Sequence, residues 1–507
     1  MQGRTYRFMQ NEPLYPFGYG LSYTRFAYTG LTAVPAPDGS CTVRATVTNV
    51  GTRKGSDVAQ VYLRLIGAAG RVPRCSLAAF RRVTLEPRQS TELHFTLPKT
   101  AFAEYDTQGR EVYTAAEAEI SLAGCTHSGI DWHGCAYNNG EMGRLAMTTG
   151  SFEALKQEAE RLALSMPEEL RESFKKCYLN TAETTVQTLP DGSTFIITGD
   201  IPAMWLRDSA AQVHHYLPLA ARNDAVYGFI SAVLAKQFFY ITMDPYGNAF
   251  NAGPTGAHYA PDHSGQTDWQ WERKYEVDSL CFPVDLAWQL WKATGRTEHL
   301  TGEVHRGIAG IVKLWRLEQH HEEQSGYRFE RDTTRQTETL ARGGLGTPVA
   351  YTGMTWSAFR CSDDACTYGY NIPANMYAAV VLDYMVEIAD KVWQDEVLRA
   401  GAADLGRDIR AGIEKYGTVE DAEFGKMYVY EADGFGHQLL MDDAGVPGLL
   451  SAPYYGYCDK NDPTYRSTRR FALSPRNPFF FAGKALSGLG SPHTKPDFVW
   501  PMSIIMH

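Results

Sequence analysis

The sequence predicts a multidomain chain, an all-β sandwich followed by a larger all-α unit whose helices pack into a closed ring or bundle. Three observations carry that prediction. Apolar and polar residues alternate with a period of two from about Phe26 to Gly124, the period becomes helical from Ser151 onward, and the 507 residues are enough for about three domains at roughly 150 residues each. Hydrophobic residues at 44% and charged residues at 21% are ordinary globular usage, which excludes disordered, collagenous and small disulfide-stapled classes.

In the first unit CTVRATVTNV is the clearest strand. Val43, Ala45 and Val47 face one way and Thr42, Arg44, Thr46 and Thr48 the other, and Asn49-Val50-Gly51 ends it with turn chemistry. DVAQVYLRLI follows with Ala59, Val61, Leu63 and Leu65 inward, then TELHFTL with Leu93, Phe95 and Leu97, then EISLAG. Short alternating strands at this spacing predict a sandwich, and no cluster of acids or histidines lies within it. The Gly-, His- and Asn-rich stretch 125–150 reads as a linker.

The second unit opens on SFEALKQEAERLALSMPEELRESFKKCYLNT, with charges between apolar residues at three- and four-residue spacing. In EVHRGIAGIVKLWRL the residues Val304, Ile308, Ile311, Val312 and Trp315 share one stripe. Further helices are expected over Asp208–Ala221, Ala225–Thr242, Asp278–Lys292, Ile372–Ala389, Glu396–Lys415 and Pro478–Leu489. Loops carrying the unusual residues suggest a site at one end of the helices.

Several function classes fall away. A balance of 48 basic against 58 acidic residues, with no basic block, supplies no phosphate-neutralising surface, so nucleic acid is not an expected partner. No run approaches the roughly 20 apolar residues of a membrane span, and Phe498–Met506 is short and interrupted by Pro501, so no membrane association is expected. The first residues do not read as a signal peptide, which favours a cytoplasmic location. Nine cysteines without repeated spacing read as buried or inert thiols. Adjacent histidines at His214-His215 and His320-His321 point about 100° apart on a helix and cannot readily share an ion, and phosphate-loop and dinucleotide signatures are missing, so neither metal nor cofactor is expected.

The chemistry concentrates in loops rich in Trp, Arg and paired acids. GDIPAMWLRDS presents Trp205, Arg207 and Asp208, where Asp208 could serve merely as a helix N-cap. DWQWERKYEVDSLCFP and TWSAFRCSDDACTYGYNIPANM supply Trp269, Trp271, Glu276, Asp278, Trp356, Arg360, Asp363 and Asp364. Aromatic rings stack on sugar C–H faces while carboxylates and guanidinium groups bind hydroxyls directionally, so this set fits a sugar site. Asp363-Asp364 alone could be a solvated turn or a cap for the helix near Ile372. Among these aromatics, one of the two is expected to be partly buried with a raised pKa, able to protonate a leaving oxygen, while the other binds a hydroxyl or holds the first in place.

GDIPAMWLRDSAAQVHHYLP, KYEVDSLCFP, MTWSAFRCSDDACTYGYNIPANM and GLGSPHTKPDFVWPMSIIM together resemble glycoside hydrolase family 125 over about Met147 to His507. The resemblance implies a metal-independent, inverting exo-α-1,6-mannosidase on an (α/α)6 toroid spanning 151–507, acting on mannose-containing glycans. It places the general acid within SDDA, at Asp363 or Asp364, and substrate contacts at Trp205, Arg207, Asp208, Trp271, Glu276, Asp278, Trp356, Arg360 and His493. PLYPFGYGLSYTRFAY followed by VTNVGTRKGSDVAQVYL resembles the carboxy-terminal end of glycoside hydrolase family 3. By that likeness residues 1–25 are the tail of a family 3 catalytic domain and 26–124 a fibronectin type III-like sandwich, with a family 3 β-glycosidase domain as a possible companion on the native polypeptide.

Family 125 carries its general base, a Glu, several tens of residues beyond the segment matching VWPMSIIM, and this chain stops at His507. The expectation is therefore a toroid lacking its last helices and impaired in turnover. Two competing readings are a non-catalytic mannose-binding or assembly fragment and another toroidal α-glycosidase, acting on α-glucosides.

Overall fold

The computed structural model describes residues 24, 26–35, 40–66, 76–105, 111–112, 117–123, 133–135, 149–189, 193–199 and 201–506. It divides into two compact units, Met1–Arg144 with Thr188–Ser193, and Leu145–Gln187 with Thr194–His507. Apart from Thr24 the tail 1–25 lies outside the described residues, as does most of the stretch 125–150.

The first unit is built from strands. Phe26–Pro35, Cys41–Asn49 and Ser90–Leu97 form one antiparallel sheet, and Ser76–Leu85, Gly55–Ile66, Glu117–Ala123 and His133–Cys135 form another. The alternation of CTVRATVTN is realised as a buried row of Val43, Ala45 and Val47. That row joins Leu93 and Leu97 of its own sheet and Val61, Leu63, Val83 and Ile120 of the other in one apolar core. The linker expectation fails at His133–Cys135, which pairs with Ala118–Ile120 as an added strand because backbone groups at the sheet edge take any extended partner.

Asn49 is the polar pin of this unit. Fully buried, it accepts from Thr24 Oγ1 (2.6 Å) and Gly51 N (3.1 Å) and donates to the carbonyls of Arg53 (2.8 Å) and Leu85 (3.0 Å).

The second unit is helical, and several of its helices start where side chains can accept orphan amide hydrogens. Asn223 caps Asp224–Met243, Thr301 caps Gly302–Glu318, Asn371 caps Ile372–Ile388 and Asp395 caps Glu396–Tyr416. In Gly302–Glu318 the expected stripe is buried at Val304, Ile308, Ile311 and Trp315, with Val312 only partly so. Ile372–Ile388 packs on Glu396–Tyr416 and on Val277–Thr294, which itself meets Leu206–His214. Thr149–Ala163 and Arg171–Thr184 pair with each other, and Asp224–Met243 packs on Gly302–Glu318.

Three expectations need correction. Asp208–Ala221 is not one helix but two, Leu206–His214 and Leu217–Ala220, the second carrying in its first turn Pro218, whose ring lacks an amide hydrogen to continue the first. Pro478–Leu489 is a hairpin of Phe480–Ala482 and Ser487–Leu489, since its glycines and aromatic run disfavour helix. A helix the periodicity did not reveal, Pro463–Ala472, is announced by Asp462, which accepts from Tyr465 N, and by Pro463 at its first turn. By length and composition Asp224–Met243 and Ile372–Trp393 could cross a membrane, but they are core helices, with most residues of their apolar stretches buried.

Replacing Asn49 with Leu strands two carbonyls, an amide and a hydroxyl inside the first unit. Urea unfolding of N49L should show that unit destabilised by about 2–4 kcal/mol, with the helical transition unmoved.

Candidate active site

Three helices of the second unit begin directly after, or a few residues beyond, short paired strands, and the first turns of two of them meet through Arg207. Met204–Trp205 pairs with Ala249–Phe250, which pairs with Gln270–Glu272. The helix Leu206–His214 follows the first of these and Val277–Thr294 the last, while Tyr370–Asn371, paired with Glu431–Ala432, leads into Ile372–Ile388. Arg207, Asp208 and Asp278 therefore stand in helix first turns and Glu276 at an N-cap, where the helix dipole favours carboxylates.

Arg207 is the hub. Its Nη1 donates to Glu276 Oε2 (2.8 Å) and Asp278 Oδ2 (3.1 Å), its Nε lies 3.5 Å from Asp208 Oδ2, and its Nη2 lies 3.6 Å from Asp363 Oδ1. Burial opposes the guanidinium charge, yet Glu276, Asp208, Asp278 and Asp363 together hold it firmly protonated. The four acids share one cation unequally. Burial pushes Glu276 well above the usual carboxylate range against the pull of Arg207, with Asp363 and Asp278 adding to the rise. Burial also raises Asp278 and Asp208. At Asp363 burial is outweighed by Arg207, Glu276, Lys274 and His493, and the carboxyl is held below its ordinary value. Glu276, Asp278 and Asp208 are thus the raised acids of the cluster and Asp363, expected as a candidate for the raised one, is lowered, because Lys274 and His493 join Arg207 around it.

The two adjacent aspartates have different surroundings. Asp363 has a left-handed backbone (φ 64°) and a side chain 30% exposed, whereas the Asp364 side chain is 4% exposed. Asp364 Oδ2 accepts from Ser362 Oγ (3.0 Å), and its Oδ1 lies 3.7 Å from His493 Nδ1, which raises the imidazole's pKa. Neither aspartate caps the helix near Ile372, a place taken by Asn371, whose side chain accepts from Ala374 N. Asp208 is not a cap either. It lies inside the first turn of a helix whose N-cap is Trp205.

Trp205 packs with Ala203 and Ala249, and half-buried Trp271 lies against them. Two expected contacts are not brought into the Arg207 cluster. Trp356 is 1% exposed and stacked on His321 at 3.5 Å, an aromatic core residue. Arg360 is committed to Glu431, its Nε donating to Oε1 at 2.6 Å, and Glu431 in turn accepts from Thr367 N and Tyr368 N. The histidine pairs serve structure, His215 bonding the Tyr178 carbonyl and His321 bonding Glu318. Among the described residues no group of three His, Cys, Asp or Glu could hold a metal ion.

Sequence reasoning missed a supporting network. Asn248 donates to Glu272 (3.1 Å) and Glu276 (3.5 Å), and Glu272 accepts from Arg331 (2.8 Å), which also grips Asp262 through two hydrogen bonds. WERK carries Glu272 of this network, but its partners lie dozens of residues away. A second buried acid pair, Asp442-Asp443, was also missed. Burial, reinforced by Asp443, pushes Asp442 up to about 8, and Asp443 lies in the field of Asp364 and Arg360. MDDAG has the same adjacent-acid signal as SDDA but no aromatic residues beside it.

The metal-independent α-mannosidase family, glycoside hydrolase family 125, matches residues 167–507, and the fibronectin type III-like domain matches residues 57–124. The meiotically up-regulated gene 157 protein of Schizosaccharomyces pombe is 37% identical over 364 residues, covering 67% of this chain and 71% of that protein. A Streptococcus pneumoniae metal-independent α-mannosidase, solved in a non-productive complex with α-1,6-mannobiose, is 43% identical with a TM-score of 0.68, covering 70% of this chain and 84% of that one. Thermostable β-glucosidase B of Acetivibrio thermocellus is 37% identical over 117 residues, 22% of this chain and only 15% of that protein.

The raised Glu276 has a consequence for stability. Below about pH 4.5 both folded and unfolded chains hold its proton; above that the unfolded chain releases it while the fold retains it, so stability declines until the pH passes the raised folded value. Asp363, lowered, acts oppositely, contributing stability that is lost as pH falls through its folded value. Comparing wild type with Glu276→Gln isolates the first effect. Urea midpoints at about pH 5 and pH 8 should show the variant gaining on wild type at the higher pH.

Proposed function

This chain belongs to the metal-independent α-mannosidase family and is a glycoside hydrolase, and we propose that its helical unit, an (α/α)6 ring, releases mannose from the non-reducing ends of α-1,6-mannosides with inversion. One observation carries the reading. Around Arg207 the buried atoms Asp208 Oδ2, Asp278 Oδ1 and Asp363 Oδ1 have no hydrogen-bond partner, and neither has Trp271 Nε1. Unmatched buried acceptors are costly unless a ligand meets them, and sugar hydroxyls are donors that also accept from an indole. The relative that holds α-1,6-mannobiose supplies the sugar class.

In this mechanism Arg207, Asp208, Glu276 and Asp278 fix the mannose hydroxyls while Trp205 and Trp271 border the ring. Asp363 is the general acid, favoured over Asp364 because its carboxyl reaches open space while Asp364 is enclosed with Ser362 and His493. Glu276 beside it is raised by burial, and sugar binding that occupies Arg207 raises Asp363 towards protonation. The acid then gives its proton to the glycosidic oxygen as the C–O bond breaks, and a water activated by a carboxylate about 6.5–9.5 Å away attacks the opposite ring face. Trp356 and Arg360 act from behind the site, and His493 with Asp364 steadies the acid's turn.

Proton NMR of α-1,6-mannobiose with the 507-residue chain should show β-mannose as the first anomer released. First release of α-mannose would overturn the inverting mechanism, release from α-glucosides alone would overturn the substrate class, and binding without release would support the binding-module reading. Asp363→Asn should lower turnover by about 10²–10⁴-fold, while Asp364→Asn costs less; the reverse order would transfer the acid's role to Asp364.

A further inference from the structure

We propose that Lys274 is a positioning residue for proton transfer, holding Asp363 in its left-handed turn through the backbone carbonyl. The inference rests on the assignment of Asp363 as the acid. A residue with a side chain disfavours positive φ, and although Asp tolerates it better than most, surrounding contacts must maintain it. The turn is tied at its base, where Asp363 N donates to the Arg360 carbonyl (2.9 Å), Arg360 N donates to the Asp364 carbonyl (2.8 Å), and Arg360 is fixed by Glu431. Lys274 Nζ then takes the Asp363 carbonyl at 2.8 Å.

The lysine is built for this position. Its side chain is 2% exposed, and Nζ lies 3.1 Å from Glu338 Oε2 and 3.5 Å from Glu272 Oε1. The ammonium thus donates to one carboxylate and one carbonyl, with a second carboxylate in ion-pair range. Both carboxylates are themselves held by Arg331, at 2.9 Å and 2.8 Å. Lys274 also stands two residues before Glu276 on one chain segment, and its amide donates to Asn248 Oδ1 (3.1 Å), the side chain that reaches Glu276. One rigid segment therefore places Glu276 from its backbone and Asp363 from its lysine, setting the two carboxyls relative to each other.

The test compares leaving groups in Lys274→Met. α-1,6-Mannobiose needs a proton on its leaving oxygen, whereas 2,4-dinitrophenyl α-mannoside does not. A misplaced acid should cost about 10²-fold in kcat on mannobiose, with KM and the rate on the dinitrophenyl substrate changed by less than about threefold. Lys274→Arg should recover part of the loss. Glu338→Gln, which loosens the lysine without removing it, should show the same split at smaller amplitude and serves if Lys274→Met does not fold. Equal losses on both substrates would overturn the proposal. A crystal structure of whichever variant folds gives an independent readout: Asp363 should leave the left-handed region or its carboxyl should move, and an unchanged turn would overturn the proposal. If wild type cleaves neither substrate, the assignment of function fails, and the crystal structure alone decides whether Lys274 holds the turn.

Discussion

One buried guanidinium among four carboxyl groups is the constraint on which the helical unit depends. Arg207 is too little charge for Asp208, Glu276, Asp278 and Asp363 together. Two carboxylates about 4 Å apart repel by about 4 kcal/mol at the effective dielectric of such sites. Full ionisation is therefore the costlier arrangement: burial raises Glu276, Asp278 and Asp208, while Asp363 alone of the four is held below its ordinary value. A site that leaves buried carboxylate oxygens unmatched is poised for a ligand rich in hydroxyl groups.

The fold serves that arrangement. Short strand pairs fix where Leu206–His214 and Val277–Thr294 begin, so their first turns meet at Arg207 and their dipoles favour the acids there. Behind them a second layer of charges, Glu272, Lys274, Arg331, Glu338 and Asp262, connects through Asn248 to Glu276 and through Lys274 to the Asp363 turn. Breaking one member of such a buried network leaves its partners uncompensated, so the layer is rigid as well as polar.

Much of this was legible in the sequence, and the limits have physical causes. Period-two alternation located Val43, Val47, Val61 and Leu93, since a strand's faces are set by local geometry. The motifs around Trp205, Glu276 and Asp363 hold the acids that the fold gathers around Arg207, since these residue types stand out in the chain without knowledge of their partners. Periodicity gave the helices but not their ends: Pro218 split one, and glycines turned Pro478–Leu489 into a hairpin. Trp356 and Arg360 carry the right residue types yet face inward, a distinction that depends on partners such as His321 and Glu431 far along the chain. Asn248, Lys274 and Arg331 were invisible for the same reason.

The most direct test of the central claim is calorimetric titration of α-1,6-mannobiose into wild type and Arg207→Met at pH 7, on samples shown to be equally folded. If Arg207 organises the carboxyls that receive the sugar, wild type binds and the variant loses at least about 100-fold in affinity, the equivalent of about 2.7 kcal/mol. Equal affinity in the two proteins would contradict the account.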